Sequence, residues 1–164
     1  MKKELRFGIA FFIFVCSITC TQNILAQVKL PGIWQPGMKL TVYTGPGMQP
    51  DSWTTVISTQ GCYTIYHDGA KDKKTRFALS KADLDSLIKV FIKRNLQLIE
   101  SQPRGGMVYD MRSTSMMLEW DGHIIGTGIT ASTQVQEKYE EDLREILAYI
   151  RMLVSKKHKG EPGV

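Results

Sequence analysis

Twice along this chain the apolar residues change their spacing from two to about three and a half, and each change follows an Asp-Gly turn. A period of two sends alternate side chains to opposite faces of a strand, whereas a period near 3.6 draws one apolar stripe along a helix. A chain with that double switch has to pack helices on a sheet. In the first half, Cys62-Tyr63-Thr64-Ile65-Tyr66-His67 reads as a strand and Asp68-Gly69 as its turn. Arg76-Phe77-Ala78-Leu79 reads as the return strand, with Lys71-Asp72-Lys73-Lys74 at the hairpin tip. Lys39 to Tyr43 and Trp53 to Ile57 are earlier strands, separated by a loop from Gly45 to Asp51.

Ser80 opens the first helix, because its hydroxyl can accept the amide three residues on while Asp83 sits at the positive end of the helix dipole. Leu84, Leu87, Ile88, Phe91 and Ile92 form its stripe, and the helix is expected to stop near Asn95. Leu96, Leu98 and Ile99 then enter the edge of the core, and Gln102 to Gly106 is a loop. In the second half, Thr114 to Trp120 alternates, Asp121-Gly122 makes a hairpin turn, and His123 to Ile129 returns. A long helix from about Gln134 to Val154 follows, with Val135, Tyr139, Leu143, Ile146, Leu147 and Ile150 as its stripe. Glu137, Glu140, Glu141, Arg144 and Arg151 fall mainly on its wet side. The order strands, helix, hairpin, helix argues for an α+β domain: an antiparallel sheet of about four to six strands with two helices on one face.

Ahead of this domain, Lys2, Lys3 and Arg6 precede the apolar run Phe7 to Val15 and a polar stretch that closes at Ala26. That is the layout of an export signal, too short to span a membrane and cut before Gln27. The localisation that follows is periplasmic or secreted. The alternative is a lipoprotein acylated at Cys20 or Cys16. The expected organisation is a signal over 1–26, an irregular lead-in over 27–37 with Trp34 on the domain edge, one domain over 38–154, and a disordered basic tail over 155–164.

Taking 26 residues from 164 leaves 138, enough for one core. The counts fall from 21 basic and 16 acidic residues to 18 and 15, so the formal charge is +3 rather than +5. Much of that excess sits at Lys156, Lys157 and Lys159, so no basic face is available and nucleic acid is excluded as a partner. Cys62 alone survives processing, so no internal disulfide forms and the residue is expected to be a buried small hydrophobe.

No catalytic, cofactor-binding or metal-ligating residue is assigned. His67, His123 and His158 share no helical spacing, and Cys-x-x-Cys, Gly-x-Ser-x-Gly and phosphate-binding glycine loops are missing from the sequence. Ser86-Leu87-Ile88-Lys89 matches Ser-x-x-Lys of the penicillin-recognising hydrolases without its partner motifs. Two stretches are candidates for gripping a partner. One, Gly105 to Arg112 with Arg104 just before it, brings Tyr109, Asp110 and Arg112 together ahead of a strand. The other, Thr44 to Trp53, presents Met48 and Trp53 from a loop. Packing alone also explains them: Asp110 could pair with Arg112, and Trp53 could lie in the core.

The run from Cys62 to Val154, with Leu79-Ser80-Lys81-Ala82-Asp83-Leu84 opening a helix, Tyr109-Asp110 before a strand and Asp121-Gly122 in a hairpin, resembles small exported proteins of the Bacteroidota. The same order is similar to that of emfourin, an inhibitor of thermolysin-like metalloproteases. The Ser-Gly-Gly type of opening in that pattern is replaced here by Ser58-Thr59-Gln60-Gly61, so no inhibitory residue carries over. The expectation is an exported binding or interaction protein of the cell envelope, without catalytic activity or cofactor, whose partner is a protein or an envelope component. An inhibitor of a secreted metalloprotease and a small hydrolase using Asp110 are the alternatives.

Overall fold

The sheet is built outward from β1 (Lys39–Thr44), which pairs antiparallel with β2 (Ser52–Ser58) on one side and β6 (Thr114–Trp120) on the other. In this computed structural model, residues 29–45, 50–109 and 111–157 are described. The export signal over 1–26 and its cysteines, with Met48, Asp110 and His158, lie outside the described residues. Beyond β2 lie β3 (Cys62–His67) and β4 (Asp72–Phe77), and beyond β6 lies β7 (His123–Ile129). The six strands run β4-β3-β2-β1-β6-β7, all antiparallel. A second, two-stranded sheet joins β5 (Ser101–Pro103) to β8 (Thr133–Val135). With helices α1 (Lys81–Lys93) and α2 (Glu137–Lys157), the fold is α+β.

Alternation decides which face is covered. Leu40 and Val42 on β1, Ile57 on β2, Cys62 on β3, and Met116, Leu118 and Trp120 on β6 share one face and are buried with the helices. From α1 come Leu84, Leu87, Ile88 and Phe91; from α2 come Leu143, Ile146, Ile150, Leu153 and Val154. The opposite face carries Tyr43, Met117 and Ile124, all exposed. Ion pairs set the helices antiparallel: Lys157 near the end of α2 reaches Asp83 at the start of α1 at 3.1 Å, and Arg94 after α1 meets Asp142 and Glu145 of α2.

Local chemistry explains the boundaries. Ser80 caps α1 in a reciprocal box with Asp83, and the helix ends as Asn95 turns into the left-handed region at φ 49°. At the β6–β7 turn Asp121 and Gly122 both have positive φ, 42° and 77°, which a two-residue hairpin loop with the sheet's own twist requires. Around β3–β4 the turn is tighter than expected. The Asp68 carboxylate accepts the amides of Ala70 and Lys71, so β4 starts at Asp72 and ends at Phe77, and Lys73 and Lys74 stand in the strand rather than at the tip. Those amides also hold the Asp68 carboxyl below its ordinary pKa, that of Lys71 most strongly.

Three other expectations are corrected. Ile92 is exposed, because it lies a further step round α1 from the Leu84–Phe91 stripe. Val135 is buried but belongs to β8, and α2 begins only at Glu137 and runs past Val154 to Lys157, so the tail begins as helix. The stretches beginning at Gln102 and Thr130 are not loops throughout, since β5 and β8 pair for three residues each. The lead-in is integral to the core: Leu30 and Trp34 are buried, and the Trp34 amide donates to Asp85 at 3.0 Å. Cys62 is buried with its thiol directed to the Ser58 carbonyl.

Candidate functional site

The covered face of the sheet is graded along the strands. One row, Phe77 opposite Cys62 and Leu40 opposite both Ile57 and Leu118, is closely packed and apolar. The next holds Thr75, Thr64, Thr55, Val42, Met116 and Thr127, and the last holds Tyr66, Trp53, Thr44 and Thr114. Threonine fits a pleated strand but fills less space than leucine or isoleucine. Where α2 passes over these last two rows, a cleft of about 320 Å³ remains between helix and sheet.

Val42, Thr44, Thr55 and Thr114 form the sheet side of this cleft, and Leu147, Ile150 and Val154 form the helix side. Trp53, Arg112 and Arg151 complete its wall. The Thr55 and Thr64 hydroxyls lie 3.3 Å apart and satisfy each other in the interior. Those of Thr44 and Thr114, on directly paired positions, have no hydrogen-bond partner among the described residues. Arg112 donates to Asp51 at 2.9 Å and its guanidinium carbon stands 4.6 Å from the centre of the Trp53 ring. Trp53 in turn packs on Tyr66 with ring centroids 5.2 Å apart. The guanidinium is thus fixed by a carboxylate on one side and an aromatic face on another, an arrangement lysine would not reproduce. Arg151 has no ion-pair partner among the described residues.

Of the residues singled out in the sequence, Arg112 and Trp53 come together here from the two candidate stretches. The Gly45 amide, donating to the Ser113 carbonyl at 2.7 Å, ties the strand ends from which those stretches leave. Arg104 does not join them. Its Nη2 points to the Met111 sulfur and its amide donates to the Ser132 carbonyl, while its Nε is buried without a partner among the described residues. Tyr109 is turned outward and is 79% exposed. Met48 and Asp110 lie outside the described residues.

Sequence reasoning missed the helix side of the cleft. Arg151 is exposed, as its place on the wet side of α2 predicts, and it borders the cleft next to the buried Ile150 and Val154. The legible signal was the set Leu147, Ile150, Arg151 and Val154 at helical spacing, with a cation inside an otherwise apolar series.

None of the described residues lining the cleft is a carboxylate, histidine or cysteine, and among the described residues no three such side chains converge as a metal site would require. No described helix is long and apolar enough to cross a membrane. What the cleft offers chemically is an apolar floor, hydroxyl donors and acceptors, and two guanidinium groups at its wall. No protein-family model matches the chain, and no curated protein matches it.

Proposed function

We propose that this is an exported binding module of the cell envelope, working by holding a partner or ligand rather than by transforming one. The observation that carries the reading is the cleft between α2 and the sheet, with Arg112 held in place by Asp51 and Trp53. A cationic group fixed in this way, beside hydroxyls that have no hydrogen-bond partner among the described residues, suits recognition, because little conformational freedom remains to be lost on binding. The export signal supplies the compartment, and the irregular lead-in, packed on the core, ties the amino-terminal side of the domain to α1.

Two measurements test this. The mass of the amino-terminal peptide of the native protein is expected to begin at Gln27 or its cyclised form; an intact residue 1 would remove the export part of the proposal. In-cell cross-linking followed by affinity recovery from the envelope fraction is expected to return a reproducible partner or bound molecule that is lost in Arg112→Ala. Recovery of nothing above a control bait would overturn the binding role.

A further inference from the structure

The two edges of the large sheet are closed by different means. At β7 the Ser101 hydroxyl takes up both backbone groups of Gly128, whereas nothing among the described residues pairs with the outer side of β4. β4 is also regular. Its pairing with β3 runs without a bulge from Phe77 to Asp72, and the strand contains no proline and no glycine. Among the described residues charge is its only guard, and charge discriminates by sign where a proline or a covering loop would not.

Which backbone groups face outward follows from the turns. The Gly61 amide donates to the Ser58 carbonyl across the β2–β3 turn, and the Asp68 amide donates to the Lys71 carbonyl across the β3–β4 turn. Antiparallel partners exchange both of their bonds at every second pair. Counted from either turn, Phe77, Thr75 and Lys73 bond to β3, so Asp72, Lys74 and Arg76 turn their N–H and C=O groups outward. The side chains of Lys74 and Arg76 stand on the open face, opposite Ile65 and Tyr63. The Lys74 ammonium is held 3.7 Å over the Tyr63 ring, and Arg76 has no ion-pair or hydrogen-bond partner among the described residues.

We infer that β4 receives an extended acidic segment of a partner protein as a further strand of the sheet, with carboxylates two residues apart set against Lys74 and Arg76. Main-chain bonds to Lys74 and Arg76 hold the strand, and their side chains select it. A residue directly opposite lies on the same face, where opposite charges attract and like charges repel. The residue between the two carboxylates falls beside Thr75 on the other face, so a β-branched apolar side chain suits it. A second copy of this chain fits less well. The register that overlaps both edges fully sets Asp72 against Arg76 but Lys74 against Lys74, and Asp72 is already bound to His67 at 2.5 Å. None of the residues lining the cleft lies on β4, so this surface goes beyond the cleft and does not depend on it.

The test titrates two capped peptides into the full protein as its host cell processes it, one alternating glutamate with valine and one alternating lysine with valine. Backbone amide exchange is read by NMR. The glutamate peptide is expected to slow exchange at the Lys74 and Arg76 amides. It is also expected to bind at least about tenfold more tightly than the lysine peptide, since two cross-strand pairs change from attractive to repulsive. Combining Lys74→Glu with Arg76→Glu is expected to reverse that preference; both positions are exposed, and Lys74→Gln with Arg76→Gln, expected to abolish it, serves if the charge reversal does not fold. Equal binding of the two peptides, binding of neither, or a preference untouched in the double variants overturns the assignment. So does binding that leaves the Lys74 and Arg76 amides unprotected, which is surface attraction alone. Protection of those amides by self-association without peptide overturns it too, by making a second copy the occupant. The cross-linking of Arg112→Ala decides the role of the cleft separately.

Discussion

Asp83 does two jobs with one carboxylate: it closes the capping box on Ser80, and it receives Lys157 from the far end of α2. The Ser80 amide, then its hydroxyl, then Lys157 pull the Asp83 pKa from an ordinary 3.8 down to about 2. Because the folded value is the lower one, the stabilisation is complete above the ordinary value and fades as the pH falls from about 4 towards 2. Asp83→Asn is therefore expected to flatten the pH dependence of the unfolding midpoint across that window and to leave its slope above pH 5 unchanged. Denaturant titrations at a series of pH values read this directly, and a variant whose acid profile parallels the wild type would refute it. The box itself was legible from Ser80 and Asp83, three residues apart. The Lys157 contact was not, since 74 residues separate the pair and only the antiparallel packing of the helices brings them together.

At the scale of elements, the short sheet protects a long one. β7 is an edge strand, and Ser101 at the start of β5 accepts the Gly128 amide at 2.8 Å while donating to the Gly128 carbonyl at 2.9 Å. One hydroxyl thus satisfies both backbone groups that the edge leaves open at that residue. Glycine is required there: a Cβ would lie 2.5 Å from the Thr114 carbonyl oxygen, a backbone atom that cannot swing aside. Ser101→Ala is expected to cost about 1–3 kcal/mol, the range for leaving part-buried groups unpaired. Hydrogen exchange at the Gly128 amide should accelerate ahead of its neighbours on β6; unchanged protection would contradict the role given to Ser101. The other edge, β4, is defended by sequence alone, with Lys73, Lys74 and Arg76 spaced along it. Hairpins and helices were readable because seven alternating residues or a four-turn stripe repeat a pattern. β5 and β8 were not, because three residues are too few to establish a period and their pairing is set by contacts 30 to 34 residues apart.

For the molecule as a whole, the core lies between one face of a six-stranded sheet and two helices, and Phe91 is its largest fully buried side chain. Phe91→Ala is expected to destabilise the protein by about 3–5 kcal/mol, the cost of lost apolar burial plus the cavity left behind. That is a large share of the stability of a domain of this size. Chemical denaturation should show a single transition shifted to lower denaturant with an unchanged slope. A shift below about 1 kcal/mol would mean that the core relaxes into the space. The same packing leaves the cleft, since the threonine rows of the sheet do not fill the space beside Leu147, Ile150 and Val154.

The sequence by itself determined the fold class, the stop at Asn95 and the Asp121-Gly122 turn, because each shows in patterns of neighbours within a few residues. It also marked Trp53 and Arg112, one as an aromatic at the end of a loop and the other as a cation before a strand. That these two share a wall with Arg151 was decided only in three dimensions, since β1 pairs with β2 on one side and with β6 on the other. Ladder registers of that kind are set by the summed burial of whole strands and not by any local pattern, and the site they create belongs to no single segment of the chain.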